Sequence, residues 1–188
     1  MKRIGIISDT HDYLDDKVFD YFKDCDEIWH AGDFGNIEIA KRLKVGKEIK
    51  EDELVHGQTR DSLFRNGRSQ TILRGVYGNI DGIDIRNEFP KQLVFMCEDV
   101  KVMMRHIGGY PPKYNKATKE QLLIHKPQLF ITGHSHILKI MYDETLQCLY
   151  VNPGAAGKQG WQRVRTIVTL VIDGKQMKDC RVIELGKK

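Results

Sequence analysis

The sequence predicts an α/β protein, and three observations carry that prediction. The N-terminal half alternates short apolar runs with amphipathic stretches. The C-terminal half alternates short strand candidates with turns. Five apolar runs are each followed at once by Asp, Asn or His, the habit of parallel strands that feed a ligand crevice at their carboxyl ends.

The elements follow in order. Arg3-Ile4-Gly5-Ile6-Ile7 is apolar without alternation, which predicts a strand buried on both faces. Asp12 to Asp26 spaces Leu14, Val18, Phe19 and Phe22 along one helical face, with Asp12 expected as its cap. Glu27 to His30 predicts a second strand, and Asn36 caps a helix that carries Ile37, Ala40 and Leu43 on one side. This β-α-β-α start implies parallel strands with right-handed crossovers. Lys44 to Gln70 is polar and mixed in charge, and is expected to be an inserted loop with a solvated or lid-like role. Thr71 to Tyr77, Gln92 to Cys97 and Val100 to Arg105 are strands, the last two joined by a turn at Glu98-Asp99. Thr118 to His125 is helical and Pro127 stops it. Leu129 to Ile131 is a buried strand. Strands follow at Ile137 to Tyr142, Cys148 to Val151, Thr166 to Ile172 and Asp179 to Leu185, with Asp173-Gly174 as a hairpin signal.

Composition excludes several classes. The 188 residues are 40% hydrophobic and 30% charged, as expected of one ordinary globular domain spanning 1–188. A net charge of +4 mildly favours anionic ligands and is no nucleic-acid signature. No apolar run reaches the roughly 18 residues of a membrane span, and the run behind Lys2 and Arg3 is too short for a signal peptide. Cys25, Cys97, Cys148 and Cys180 form no CxxC pair, so a disulfide framework or thiolate metal site is not expected, and a reduced cytoplasm is.

The chemistry lies behind the strands. Asp9-Thr10-His11 follows the first, Gly32-Asp33 the second and Gly78-Asn79-Ile80-Asp81 the third. His106 follows the Val100 strand, and Gly133-His134-Ser135-His136 the Leu129 strand. Glycine stands directly beside the polar residue in three of the five and two positions from it in a fourth, which lets backbone approach a bound group. Imidazole nitrogens and hard oxygens without thiolate suit Mn²⁺, Fe or Zn²⁺ better than Cu(I) or iron–sulfur clusters. Asp9, His11, Asp33, Asn79, His106, His134 and His136 are too many donors for one ion. They fit two ions that share a carboxylate, with Asp33 as the natural bridge. Two such ions, roughly 3.5–4 Å apart, hydrolyse phosphate esters through a metal-bound hydroxide attacking in line.

These motifs resemble the calcineurin-like metallophosphoesterases. Ile7-Ser8-Asp9-Thr10-His11, His30-Ala31-Gly32-Asp33 and Asn152-Pro153-Gly154 are similar to the YfcE-type phosphodiesterases among them. The resemblance covers nearly the whole chain, with Lys44 to Gln70 longer than is usual. It implies a four-layer α/β/β/α sandwich with two facing mixed sheets. It also implies one ion held by Asp9, His11 and His136, a second by Asn79, His106 and His134, and Asp33 between them. Asp33, Asn79 and His106 are then the expected catalytic residues, and Mn²⁺ the first expected metal, with Fe, Zn²⁺ or Ni²⁺ as the other candidates. The substrate would be a small phosphate ester or nucleotide, with no obligate nucleic acid, no membrane, and self-association left open. Ile80 stands where many relatives carry a histidine that protonates the leaving group or contacts the phosphate, so acidic leaving groups are expected to be favoured. Asp81 is expected to fix ligands. His30 is expected to be a satisfied core histidine, His56 solvent-facing, and Arg163 and Arg165 solvated or phosphate-facing. The alternatives are a protein-interaction scaffold, as in the retromer subunit of this fold, or a monoesterase or nuclease.

Overall fold

The computed structural model describes residues 1–45 and 71–188. The polar window expected at 44–70 opens with the last two residues of a helix, Lys44 and Val45. From residue 46 on, His56 included, it lies outside the described residues.

The chain runs β1 (Lys2–Ile7), α1 (Lys17–Phe22), β2 (Glu27–His30), α2 (Ile37–Val45), β3 (Ile72–Gly75), α3 (Ile83–Glu88), β4 (Gln92–Cys97) and β5 (Val100–Arg105). It continues with β6 (Gly109–Tyr110), β7 (Lys113–Tyr114), α4 (Lys116–His125), β8 (Leu129–Ile131), β9 (Leu138–Asp143), β10 (Cys148–Pro153), β11 (Val164–Asp173) and β12 (Gln176–Lys187). One sheet has the order β12-β11-β1-β2-β3 and the other β4-β5-β8-β10-β9, with β6 and β7 as a small ribbon. Both are mixed: β1, β2 and β3 are parallel, as are β5, β8 and β10, while β11, β12, β4 and β9 pair antiparallel.

Strand alternation builds three cores from these two sheets. Ile4 and Ile6 of β1 face Val102 and Met104 of β5 and Leu129 and Ile131 of β8 across the inter-sheet core. Ile7 points the other way, to the layer formed by Val18, Phe19 and Phe22 of α1 and Ala40 and Leu43 of α2. Met103 and Phe130 leave the second sheet on its outer face to meet Leu122 of α4. The architecture is therefore the four-layer α/β/β/α sandwich. Each fully buried Ile, Leu, Phe or Met here contributes about 1.5–3 kcal/mol of transfer energy.

Most elements lie where the sequence places them, and three differences are informative. The helix expected from Asp12 begins only at Lys17, behind Asp16, which makes no side-chain cap. The backbone N–H groups of His11 and Asp12 instead bond the carbonyls of Asp33 and Phe34, holding the chain in a loop until residue 13. Leu14, Val18, Phe19 and Phe22 still share one core, so the periodicity reports a common face rather than one continuous helix. α3 was not expected: it buries only Ile85 and leaves Ile83 exposed, so no periodic signal marks it. The β6–β7 ribbon, which turns at Pro111-Pro112, was not expected either, because strands of two residues are too short to show alternation. Asn36 does cap α2, its Oδ1 accepting the Glu38 N–H at 3.0 Å.

Candidate metal centre

Five strands deliver the candidate donors to one end of the inter-sheet core. Asp9 and His11 follow β1, Asp33 follows β2, Asn79 follows β3, His106 follows β5, and His134 and His136 follow β8. The loops are stitched to one another. The Asp9 N–H donates to the Gly32 carbonyl at 3.0 Å, and the Gly133 N–H to the His106 carbonyl at 3.1 Å. The His134 N–H donates to the Asp9 carboxylate at 3.1 Å, joining the first sheet to the second. Close approach explains two of the glycines. A Cβ on Gly78 would overlap the Asp33 carboxylate, and one on Gly133 would overlap Ser8 Oγ and lie 2.8 Å from Asp9 Oδ2.

The donors meet as two groups, Asp9 with His11 and His136, and Asp33 with His106 and His134, the ligand atoms within each lying within 4.8 Å of one another. In the first, His136 Nε2 is 3.2 Å from Asp9 Oδ1 and 3.1 Å from His11 Nε2. In the second, His106 Nε2 is 3.1 Å from Asp33 Oδ2. Asp33 Oδ2 is also 3.8 Å from His11 Nε2, so this carboxylate reaches toward both groups. Asn79 lies on the loop behind β3, is exposed, and shares a cleft wall with His106. The backbone is strained here: Asp9, His11, Asp33, His134 and His136 all have φ between 46° and 69°, the left-handed region that non-glycine residues seldom adopt.

The electrostatics match a cation site. Burial pushes the Asp33 carboxyl up, but contact with His106, the Ile80 N–H and the nearby His11 outweigh it and leave it below its ordinary value. Burial likewise opposes a charge on His106, yet Asp33, Asp9 and the Ala31 carbonyl raise it above the usual range. The contact with Asp9 raises His136. Burial and the nearby His106 lower His134, leaving its lone pair free to ligate. Among the described residues, two buried ring nitrogens, Nδ1 of His11 and Nε2 of His106, lack a well-aligned hydrogen-bond partner, although His106 Nε2 lies close to Asp33. An unsatisfied buried polar atom costs about 1–3 kcal/mol, and a cation shared by His106 Nε2 and Asp33 would satisfy that nitrogen. The residues present therefore fit a divalent metal bound by imidazole and carboxylate.

Surrounding side chains hold these donors in place. The His106 Nδ1–H donates to the Ala31 carbonyl at 2.7 Å, which turns Nε2 toward Asp33. The Asp81 carboxylate accepts three backbone N–H groups, from Gly78 at 2.7 Å, Asp33 at 3.0 Å and Gly35 at 2.9 Å. Asp81 thus ties the β3 loop to the β2 loop. His30 accepts the Gly32 N–H on Nδ1, so its Nε2–H donates to Thr10 Oγ1, and Thr10 donates to the Phe34 carbonyl. Burial, then the charge of His106, hold His30 well below its ordinary pKa, as suits a neutral structural histidine. The Asn152 Nδ2–H₂ group donates to the Gly133 carbonyl at 2.8 Å and to Ser135 Oγ at 3.1 Å, fixing the His134 loop.

Two residues differ from the sequence reading or escape it. Arg165 is neither solvated nor phosphate-facing: it is 5% exposed and pairs with Asp15 at 2.8 Å, because the late start of α1 leaves Asp15 beside β11. Gln162 escapes sequence reasoning. Its Oε1 accepts from His136 Nδ1 at 3.2 Å, while its amide donates to the carbonyls of Gly157 and Gln159. A lone Gln in a polar loop carries no spacing signal.

Residues 1–175 match the calcineurin-like phosphoesterase superfamily domain. A probable metallophosphoesterase of Methanothermobacter thermautotrophicus is 26% identical over 191 residues, covering 97% of this chain and 92% of that protein. A phosphodiesterase of Methanocaldococcus jannaschii is 26% identical over 156 residues, covering 81% of this chain and 82% of that one. Vps29 of Chaetomium thermophilum aligns over 100% of both chains with a TM-score of 0.67 at 13% identity, a likeness of fold. With the domain match running through β1 to β11, the chain belongs to the calcineurin-like phosphoesterase superfamily.

Proposed function

We propose that this chain is a cytoplasmic, metal-dependent phosphodiesterase of 1–188 as one domain, acting on small phosphate diesters. The observation that carries the reading is the meeting of two carboxylate–imidazole groups that share Asp33 in one crevice. On this reading Asp9, His11 and His136 hold one divalent ion, and Asn79, His106 and His134 the other, with Asp33 between them. Mn²⁺ is the first metal to try. When bound, two such ions neutralise the phosphate and activate water.

The chain's own residues orient this chemistry. Ala31 sets the tautomer of His106, Gln162 that of His136, and Asp81 fixes the backbone on which Asp33 and Asn79 stand. Ile80 follows Asn79 and can neither give nor take a proton, so no side chain at this position protonates the departing alcohol. Diesters with acidic leaving groups should therefore be cleaved best, since general acids contribute about 10²–10⁴-fold. The phosphodiesterase name of the Methanocaldococcus relative supports the diester over the monoester.

The test is hydrolysis of bis-p-nitrophenyl phosphate beside p-nitrophenyl phosphate after chelation and Mn²⁺ add-back. Metal-dependent turnover that favours the diester is expected. A folded protein that binds two metal equivalents and turns over neither would move a second reading, a protein-interaction scaffold, to first place. The fold likeness to Vps29 favours that second reading, as does exposed apolar surface beside the donors. Ile80, Ile107 and Ile137, each next in sequence to a candidate ligand, are 47%, 42% and 65% exposed.

A further inference from the structure

Beside the second group of donors the crevice widens into a cleft of about 430 Å³. His106 and Asn79 line it, so cleft and candidate metal centre share residues. Arg86, Lys91 and Arg105 line it too, and among the described residues no acidic side chain does. Among the described residues none of these three cations has a carboxylate within 4.0 Å. Most surface cations are interspersed with acids, so three left uncompensated around one opening mark a place for an anion.

The guanidinium groups are fixed by neutral partners. Arg86 donates from Nε to the Asp81 carbonyl at 2.7 Å and from Nη2 to the Asn79 carbonyl at 3.3 Å, and it lies 4.8 Å over the Tyr77 ring. Arg105 donates from Nη1 to Gln92 Oε1 at 3.4 Å. These contacts orient the heads and leave their charge and their remaining N–H donors uncommitted, as phosphate recognition requires. The volume decides what else enters. It lies within the roughly 300–1,000 Å³ typical of small-ligand sites, so the cleft admits a phosphate together with the group that links it to the reacting ester.

We infer that this cleft is the subsite for a second phosphate, and that the substrate is a low-molecular-weight phosphodiester carrying one. The inference rests on the phosphodiesterase reading for its reaction. The scissile phosphate meets the shared donors, and the second phosphate is held by Arg86, Lys91 and Arg105.

The test compares two substrates that differ by one phosphate: the p-nitrophenyl ester of thymidine 5′-phosphate, and the same ester phosphorylated on its 3′ oxygen. With Mn²⁺-loaded enzyme the 3′-phosphorylated ester should have a kcat/KM about tenfold higher or more, since hydrogen bonds to charged groups are the stronger ones. The Lys91→Gln/Arg105→Gln double variant should bring the pair to within about twofold, by raising KM for the doubly charged ester. Arg86 is left intact, because it is tied to the Asp81 loop. Equal kcat/KM for the two esters in the unmodified enzyme, or a preference that survives the double variant, overturns the inference. If neither ester is cleaved, it is the phosphodiesterase reading that has failed, and calorimetry with thymidine 3′,5′-bisphosphate decides the subsite. Binding about tenfold weaker in the double variant upholds it, and equal binding overturns it.

Discussion

Asp9, His11 and His136 form the enclosed group of donors; Asp33, His106 and His134 form the open one. In the first, Asp9 and His11 are buried, His136 is half-buried, and Gln162 closes over it. In the second, Asp33 and His106 are equally buried, but His134 and the neighbouring Asn79 are exposed, and a basic cleft begins at His106. Both are made of the same imidazole and carboxylate chemistry. What differs is access, and on the proposed reading access would divide the labour: the enclosed group would retain its ion, and the open one would present an ion to a ligand.

The strongest way to break this contrast is Asp33→Ala, because Asp33 reaches both groups. It should remove both metal equivalents and lower kcat/KM at least about a thousandfold, read by elemental analysis after desalting and by diester hydrolysis. Retention of two equivalents would show that the groups are independent. His134→Ala should act on one side only, leaving one metal equivalent with a rate about a hundredfold lower; two equivalents at full rate would remove His134 from the ligand set. Asp81→Ala releases the backbone N–H groups of Gly78, Asp33 and Gly35, and should weaken metal affinity by about 10–100-fold, mainly at the open group. Titration of the chelated protein with Mn²⁺ measures this, and an effect on the enclosed group alone would reverse the assignment. The smallest effect should come from Gln162→Ala, which frees one ring nitrogen of His136 and should cost the enclosed group about tenfold or less in metal affinity.

The same contrast separates what a sequence displays from what it conceals. β1, β5 and β8 were legible because each supplies side chains to cores on both faces, which writes a continuous apolar run. The donors were legible because each stands directly behind such a run. Helix α3 was not, because a helix that buries one side chain leaves no period to read. The start of α1 was masked for a related reason: Leu14 shares a core with Phe22 although a loop precedes the helix, and burial alone does not tell loop from helix. Gln162 and the Asp15–Arg165 pair act across long sequence separations, where nothing local records the partner. Arg86, Lys91 and Arg105 come from α3, the segment behind it and β5, so their convergence is visible only in three dimensions.

The left-handed backbone at five of the donors has a consequence for folding as well as for chemistry. Sparsely populated conformations cost about 1–3 kcal/mol each. Five of them approach the whole net stability of a typical domain, about 5–15 kcal/mol. On the proposed reading, a metal held by those donors would also hold their loops in the folded arrangement, because a ligand that binds only the folded state stabilises it. Metal supply would then tune the stability of the folded chain together with its rate, and the chelated protein should unfold at a lower temperature than the Mn²⁺-loaded one.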